Sequence, residues 1–135
     1  VIELACNLDD MTPEELSFAM EELFRLGALD VYFTNIGMKK SRPGVILTCM
    51  CRADKRDEML SCIFKNTTTL GVREYVCSRY ELIRSIETVQ TKYGPVRVKT
   101  AEGCGVKRSK AEYDDLERLA RENDTTPAEI RKLIK

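Results

Sequence analysis

Ile2, Leu4, Cys6 and Leu8 alternate with Glu3, Ala5 and Asn7, the two-residue period of a strand with one buried face. Four residues after Leu8, Thr12-Pro13-Glu14-Glu15 supplies an N-cap, a proline at the first helical position and a carboxylate three residues after the cap. A half-buried strand that passes so quickly into a helix must be covered by it, and this commits the chain to a layered fold. The helix is expected from about Pro13 to Leu26, with Leu16, Ala19, Met20, Leu23 and Phe24 as its apolar stripe and Gly27 as its C-cap.

Val31 to Thr34 and Val45 to Cys49 are β-branched and aromatic, and Met38-Lys39-Lys40-Ser41-Arg42-Pro43-Gly44 between them reads as a turn centred on Pro-Gly. Asp54 and Asp57 open a second helix with Leu60, Ile63 and Phe64 on its apolar face. Thr67-Thr68-Thr69 ends it, and a fourth strand follows Gly71. The order is the split βαββαβ of a ferredoxin-like α+β sandwich, with two helices on one face of an antiparallel sheet and the other face open to a further subunit, domain or layer.

Residues 1–82 form this core. Residues 83–105 are expected to be a β-hairpin extending the same domain, with Ile86 and Val89 before the Lys92-Tyr93-Gly94-Pro95 turn and Val96 and Val98 after it. Residues 106–135 are expected to be a tail of two short helices, started by Ser109-Lys110-Ala111-Glu112 and Thr126-Pro127-Ala128-Glu129. Their apolar positions are Tyr113, Leu116, Leu119 and Ala120, then Ile130, Leu133 and Ile134. Val1 already lies within an apolar pattern, so the chain reads as a fragment lacking an N-terminal domain.

At 135 residues the chain can bury one ordinary core. Its 22 basic and 22 acidic residues cancel, which removes a global pull toward DNA or anionic membranes, and no apolar run approaches the ~20 residues that span a bilayer. Any anion site must be local. Six cysteines without histidine or CxxC spacing indicate reduced thiols and a cytoplasmic protein. Cys49 and Cys51 share a strand face, where packing in the core is favoured over ligation of nickel or zinc.

Three polar loci stand out. Asp9-Asp10, between a strand and a helix, suits Mg²⁺ or Mn²⁺ through oxygen ligands, or else helix capping and the positive end of the helix dipole. Lys39, Lys40 and Arg42 suit a phosphate that Gly44 lets approach the backbone, or else a solubilising loop tip. Thr67 to Arg73 offers hydroxyls, amides and a guanidinium to a polyphosphate, without the Walker string, or else simply ends a helix.

The strings NLDDMTPEEL, ALDVYFTNIGMKKSRPGVIL, TTTLGVREYVCSRYEL, YGPVRVK and KAEYDDLERLA occur together in this order. In that conjunction the chain closely resembles the C-terminal domain of the LarC nickel-insertion protein family, over nearly its whole length. The resemblance implies CTP-dependent insertion of nickel into pyridinium-3,5-bisthiocarboxylic acid mononucleotide, the precursor of the nickel-pincer cofactor of lactate racemase-type enzymes, a nickel chelatase activity of the lyase class. It also implies CTP bound with Mn²⁺ or Mg²⁺ and a trimer-based homo-oligomer.

On that resemblance Asp9 and Asp10 match the double aspartate for the divalent ion. Lys39, Lys40 and Arg42 match the basic turn that neutralises the triphosphate, and Thr68, Thr69 and Arg73 match the string for phosphate or ribose. Lys99 matches a later string and joins the nucleotide-binding candidates, while Glu112 and Tyr113 match without a role. Ala111 stands where the family pattern has proline, at an expected helix start. No residue is assigned to catalysis, and nickel is expected to be held outside this fragment.

In a ferredoxin-like sheet the end of the first strand and the turn between the second and third are expected at opposite ends, so the acidic and basic loci would meet only between subunits. The competing expectation is a ferredoxin-like regulatory or assembly domain that binds no nucleotide.

Overall fold

The computed structural model describes residues 1–134. Lys135, the last residue of the expected tail, lies outside the described residues. The chain divides into two compact units, the first from Val1 to Arg79 and the second from Tyr80 onward.

The first unit contains β1 (Ile2–Leu8), α1 (Pro13–Arg25), β2 (Asp30–Met38), β3 (Arg42–Cys51), α2 (Arg56–Asn66) and β4 (Arg73–Val76). The antiparallel sheet has the order β2-β3-β1-β4, the ferredoxin-like topology. Ile2, Leu4, Cys6 and Leu8 of β1 stand opposite Cys51, Cys49, Leu47 and Val45 of β3. Paired residues share a face, so the alternation in both strands fixes this register; a slip by one residue would turn every apolar side chain to the wrong side. Ala19 and Leu23 of α1 and Met59, Cys62 and Ile63 of α2 close the core over that face.

Thr12 and Glu15 form the reciprocal cap expected of α1, and Gly27 takes φ +104° just past its end. Phe24 and Phe64 are expected in the core but are about half exposed, because the buried arcs, Ala19-Leu23 on α1 and Met59-Cys62-Ile63 on α2, are rotated away from them.

Pro43-Gly44 does not make the hairpin turn. Both residues lie in β3, paired with Gly37 and Ile36, and the reversal falls at Lys39 to Ser41, where Lys40 and Ser41 take φ +60° and +58°. Gly44 answers to close approach instead: a Cβ there would meet the Met38 Sδ at 2.5 Å and the Leu8 carbonyl oxygen at 2.8 Å.

The second unit contains β5 (Ile83–Thr91), β6 (Gly94–Gly103), β7 (Val106–Ala111), α3 (Tyr113–Glu122) and α4 (Pro127–Arg131). The expected hairpin is present, but its strands pair with a third strand in an antiparallel sheet β5-β6-β7. The cause is Gly103-Cys104-Gly105: positive φ at Cys104 (+49°) and Gly105 (+78°) makes a tight primed-type reversal that returns the chain alongside β6. Ser109 therefore pairs with Thr100 instead of capping a helix. Ala111 ends a strand, and α3 begins after Glu112 without a side-chain cap. Thr126 does cap α4, accepting from the Glu129 amide as expected.

Val96, Leu116, Leu119, Ala120 and Ile130 form the second core, while Tyr113 is about half exposed. Asp115 ties α3 to β6. Its carboxylate accepts from the Arg97 backbone N at 2.8 Å and from Arg97 Nε and an Nη at 3.0 Å each. No helix among the described residues is long and apolar enough to cross a membrane.

Candidate functional site

The pairing in the first unit gathers three loops at one end of its sheet. Leu8, the last residue of β1, stands opposite Val45, three residues after β3 begins at Arg42. Arg73, the first residue of β4, stands opposite Ala5. The β1–α1 loop, the β2–β3 turn and the α2–β4 loop therefore share an end. The expectation that the first and second of these lie apart is overturned, because β3 runs antiparallel to β1 between β1 and β2 and so starts where β1 stops.

The side chains follow the backbone. A guanidinium nitrogen of Arg42 lies 3.7 Å from Asp9 Oδ2, so one chain brings acidic and basic loci together. Asp10 Oδ1 accepts a hydrogen bond from the Thr68 hydroxyl. Arg73 donates to Asn7 Oδ1 at 2.9 Å and to the Tyr75 hydroxyl at 3.2 Å. Lys39 and Lys40 are exposed and make no ion pair among the described residues. A cleft of about 250 Å³ at this end is lined by Asp9, Met11, Pro13, Pro43 and Gly44, among others.

The threonine loop is built for rigidity. Thr67 Oγ1 donates to the Ile63 carbonyl at 2.7 Å and accepts from the Thr69 amide at 3.3 Å; Thr69 Oγ1 donates to the Gly71 carbonyl at 2.8 Å. These bonds satisfy groups that the end of α2 would leave open and fix Thr68 facing Asp10. Gly44 lies against Leu8 and Met38, so the space expected beside its backbone for an anion is already filled on the side where a Cβ would stand.

Lys99 belongs to the second unit, on β6, with Nζ 2.9 Å from Glu112 Oε1. Asn7 and Tyr75, which hold Arg73, were not singled out from the sequence. The available signal was positional: Asn7 is the polar residue of β1 nearest Asp9 and lies two residues beyond Ala5, the partner of Arg73.

Among the described residues no group of three or more Cys, Asp and Glu is placed to hold a metal. Cys49 and Cys51 are fully buried in the core, as expected. Burial, reinforced by neighbouring Cys51 and Cys62, pushes the Cys49 thiol up to about 12, so it stays protonated and is a poor soft ligand. Burial also raises Cys6, against a hydrogen bond with Thr69 and the nearby Arg73 charge.

The family model described as "Nickel insertion protein" matches residues 1–131. A putative nickel insertion protein of Cyanothece is 39% identical over 134 residues, covering 98% of this chain and 33% of the relative. The pyridinium-3,5-bisthiocarboxylic acid mononucleotide nickel insertion protein of Acetivibrio thermocellus is 41% identical over 119 residues, 88% of this chain and 29% of the relative. The chain thus spans about a third of the length of these relatives.

Among solved structures, LarC2, the C-terminal domain of a cyclometallase involved in the synthesis of the NPN cofactor of lactate racemase, superposes with a TM-score of 0.81 at 36% identity. That match covers 98% of this chain and 92% of LarC2. A protein of Methanopyrus kandleri gives 0.78 at 27% identity, covering 96% of this chain and 80% of that one. With a family match over nearly its whole length and the same fold in a solved relative, the chain belongs to the nickel insertion protein family.

Proposed function

We propose that the loop end of the first unit binds CTP as its Mn²⁺ or Mg²⁺ complex. In this reading the chain is the nucleotide-binding and assembly part of a cytoplasmic, lyase-class enzyme that inserts nickel into pyridinium-3,5-bisthiocarboxylic acid mononucleotide. The observation that carries the reading is the convergence of Asp9, Asp10, Arg42, Thr68 and Arg73 within one chain. A triphosphate with a divalent ion needs carboxylates for the ion and cations for the oxygens, and here both stand at one sheet end.

The donor set suits a hard ion. Two carboxylates without a third protein donor leave coordination positions for phosphate oxygens and water, as such ions prefer. When bound, the ion neutralises phosphate charge. Lys39 and Lys40, exposed and without ion pairs among the described residues, would meet phosphate oxygens, and Arg42 would leave Asp9 to join them. Thr68 orients Asp10 through its hydroxyl, while Thr69 holds the loop and Asn7 holds Arg73.

The site needs no neighbouring subunit to bring acid to base, so the reason for a composite site between chains falls away. A trimer-based homo-oligomer remains part of the reading, supported by Tyr32 and Tyr75 exposed on the sheet face away from the helices. Calorimetric titration of this chain with CTP, with and without Mn²⁺, tests the proposal. Metal-dependent binding that prefers CTP over ATP and is lost in Asp10→Asn supports it. Silence toward every nucleotide sinks it and leaves a regulatory or assembly domain.

A further inference from the structure

The sheet of the second unit has two faces of opposite character. Side chains alternate along each strand and directly paired residues share a face. The register therefore sets Arg84, Ala101 and Arg108 in one row across the three strands, and Ile86, Lys99 and Lys110 in the next row on the same side. Glu87 and Glu102, the acidic residues of these strands, fall on the opposite face with Val96 and Val98.

The register thus keeps both acidic residues off the first face; Lys107, opposite Glu102, lies on theirs. An open trough of about 930 Å³ lies over the two rows, lined by these residues. Two of its cations are engaged, Arg84 with Glu81 at 3.2 Å and Lys99 with Glu112 at 2.9 Å. Arg108 and Lys110 are exposed and make no ion pair among the described residues, and Ile86 presents an apolar surface that is 64% exposed.

We propose that this face binds a small polyanionic pyridinium mononucleotide, the chemical class of the precursor named for the Acetivibrio relative. The assignment rests on the function proposed above. Such a molecule carries a phosphate at one end and two thiocarboxylates on a flat ring at the other, with a net negative charge. Outer strands stand about 10 Å apart across a three-stranded sheet, so Lys110 and Arg108 on β7 and Arg84 on β5 meet anionic groups at separate ends of one ligand. Lys99 lies between them, and the ring packs on Ile86 and Ala101. Charge complementarity selects an anion, and the exposed isoleucine among the cations selects one with an apolar ring.

The probe is pyridinium-3-carboxylic acid mononucleotide, titrated calorimetrically into the 135-residue chain. Lys110→Ala and Arg108→Ala should each weaken it about tenfold, the loss of one charge-assisted contact, without altering CTP binding in Mn²⁺. Asp10→Asn should leave the probe unaffected. Circular dichroism checks that the variants keep the fold.

The proposal is overturned if the probe does not bind, or if both variants bind it normally. It is overturned equally if inorganic phosphate, CTP or a short oligonucleotide occupies the face as tightly as the probe. Probe binding without CTP binding would sink the earlier reading alone, and CTP binding without probe binding would sink only this one.

Discussion

Asp115 is the acidic residue of this chain whose environment is most clearly built to keep it charged. It is 6% exposed and accepts three hydrogen bonds from Arg97, one of them from the backbone of β6. Those bonds, first from the Arg97 side chain and then from its amide, hold the carboxyl at about 2 against the opposing effect of burial. Held that far below the ordinary carboxylate value, the carboxyl contributes about 2 kcal/mol of stability.

Because the folded value lies below the unfolded one, this contribution is complete above about pH 4 and disappears as the pH falls through about 2. Asp115→Asn keeps the shape and removes the charge. Urea denaturation followed by circular dichroism at pH 7, 4.5, 3 and 2 should show the variant about 2 kcal/mol less stable at the first two values, with the gap closing toward the last. Taking the difference between the two proteins cancels the titration of other carboxylates. A gap that does not change between pH 4.5 and 2, or that is below about 0.5 kcal/mol at pH 7, would refute the reasoning that the charge fastens α3 to β6.

Other outcomes follow from backbone and burial. Ser41→Gly removes a side chain from a left-handed residue and should raise stability by about 1 kcal/mol in thermal melts, without disturbing the charges around it. Gly44→Ala should lose about 1 to 3 kcal/mol in the same melts, because its Cβ meets the Leu8 carbonyl and the Met38 sulfur. In native protein at pH 8, Ellman's reagent should react at once with exposed Cys104 and leave Cys6, Cys49, Cys51 and Cys62 untouched until denaturant is added. Rapid labelling of Cys49 would contradict its burial and its pKa of about 12.

The elements of the first unit were legible because each carries its own period or punctuation. Alternation in β1, the Thr12-Pro13-Glu15 start of α1 and the glycine after it are local signals with local causes. β7 was missed because Val106 to Ala111 has little apolar alternation, being exposed on most of its positions. The pertinent signal was the turn, where Gly-Cys-Gly makes a reversal that lysine- and arginine-rich strand residues do not announce. The buried arc of α2 was misjudged for a related reason: with Leu60, Ile63 and Phe64 beside Met59 and Cys62, apolar residues occupy more of the helix than the core uses.

The sequence by itself determined which residues were polar punctuation at strand and helix ends, and so which could serve as ion or phosphate ligands. Only the tertiary structure decided which of them meet. Whether Asp9 faces Arg42 depends on strand order and direction, relations between segments dozens of residues apart that no local period encodes. Lys99, as polar as Arg42 and like it in a strand, went with a different sheet because hydrogen-bond pairing, not residue type, assigns strands to neighbours.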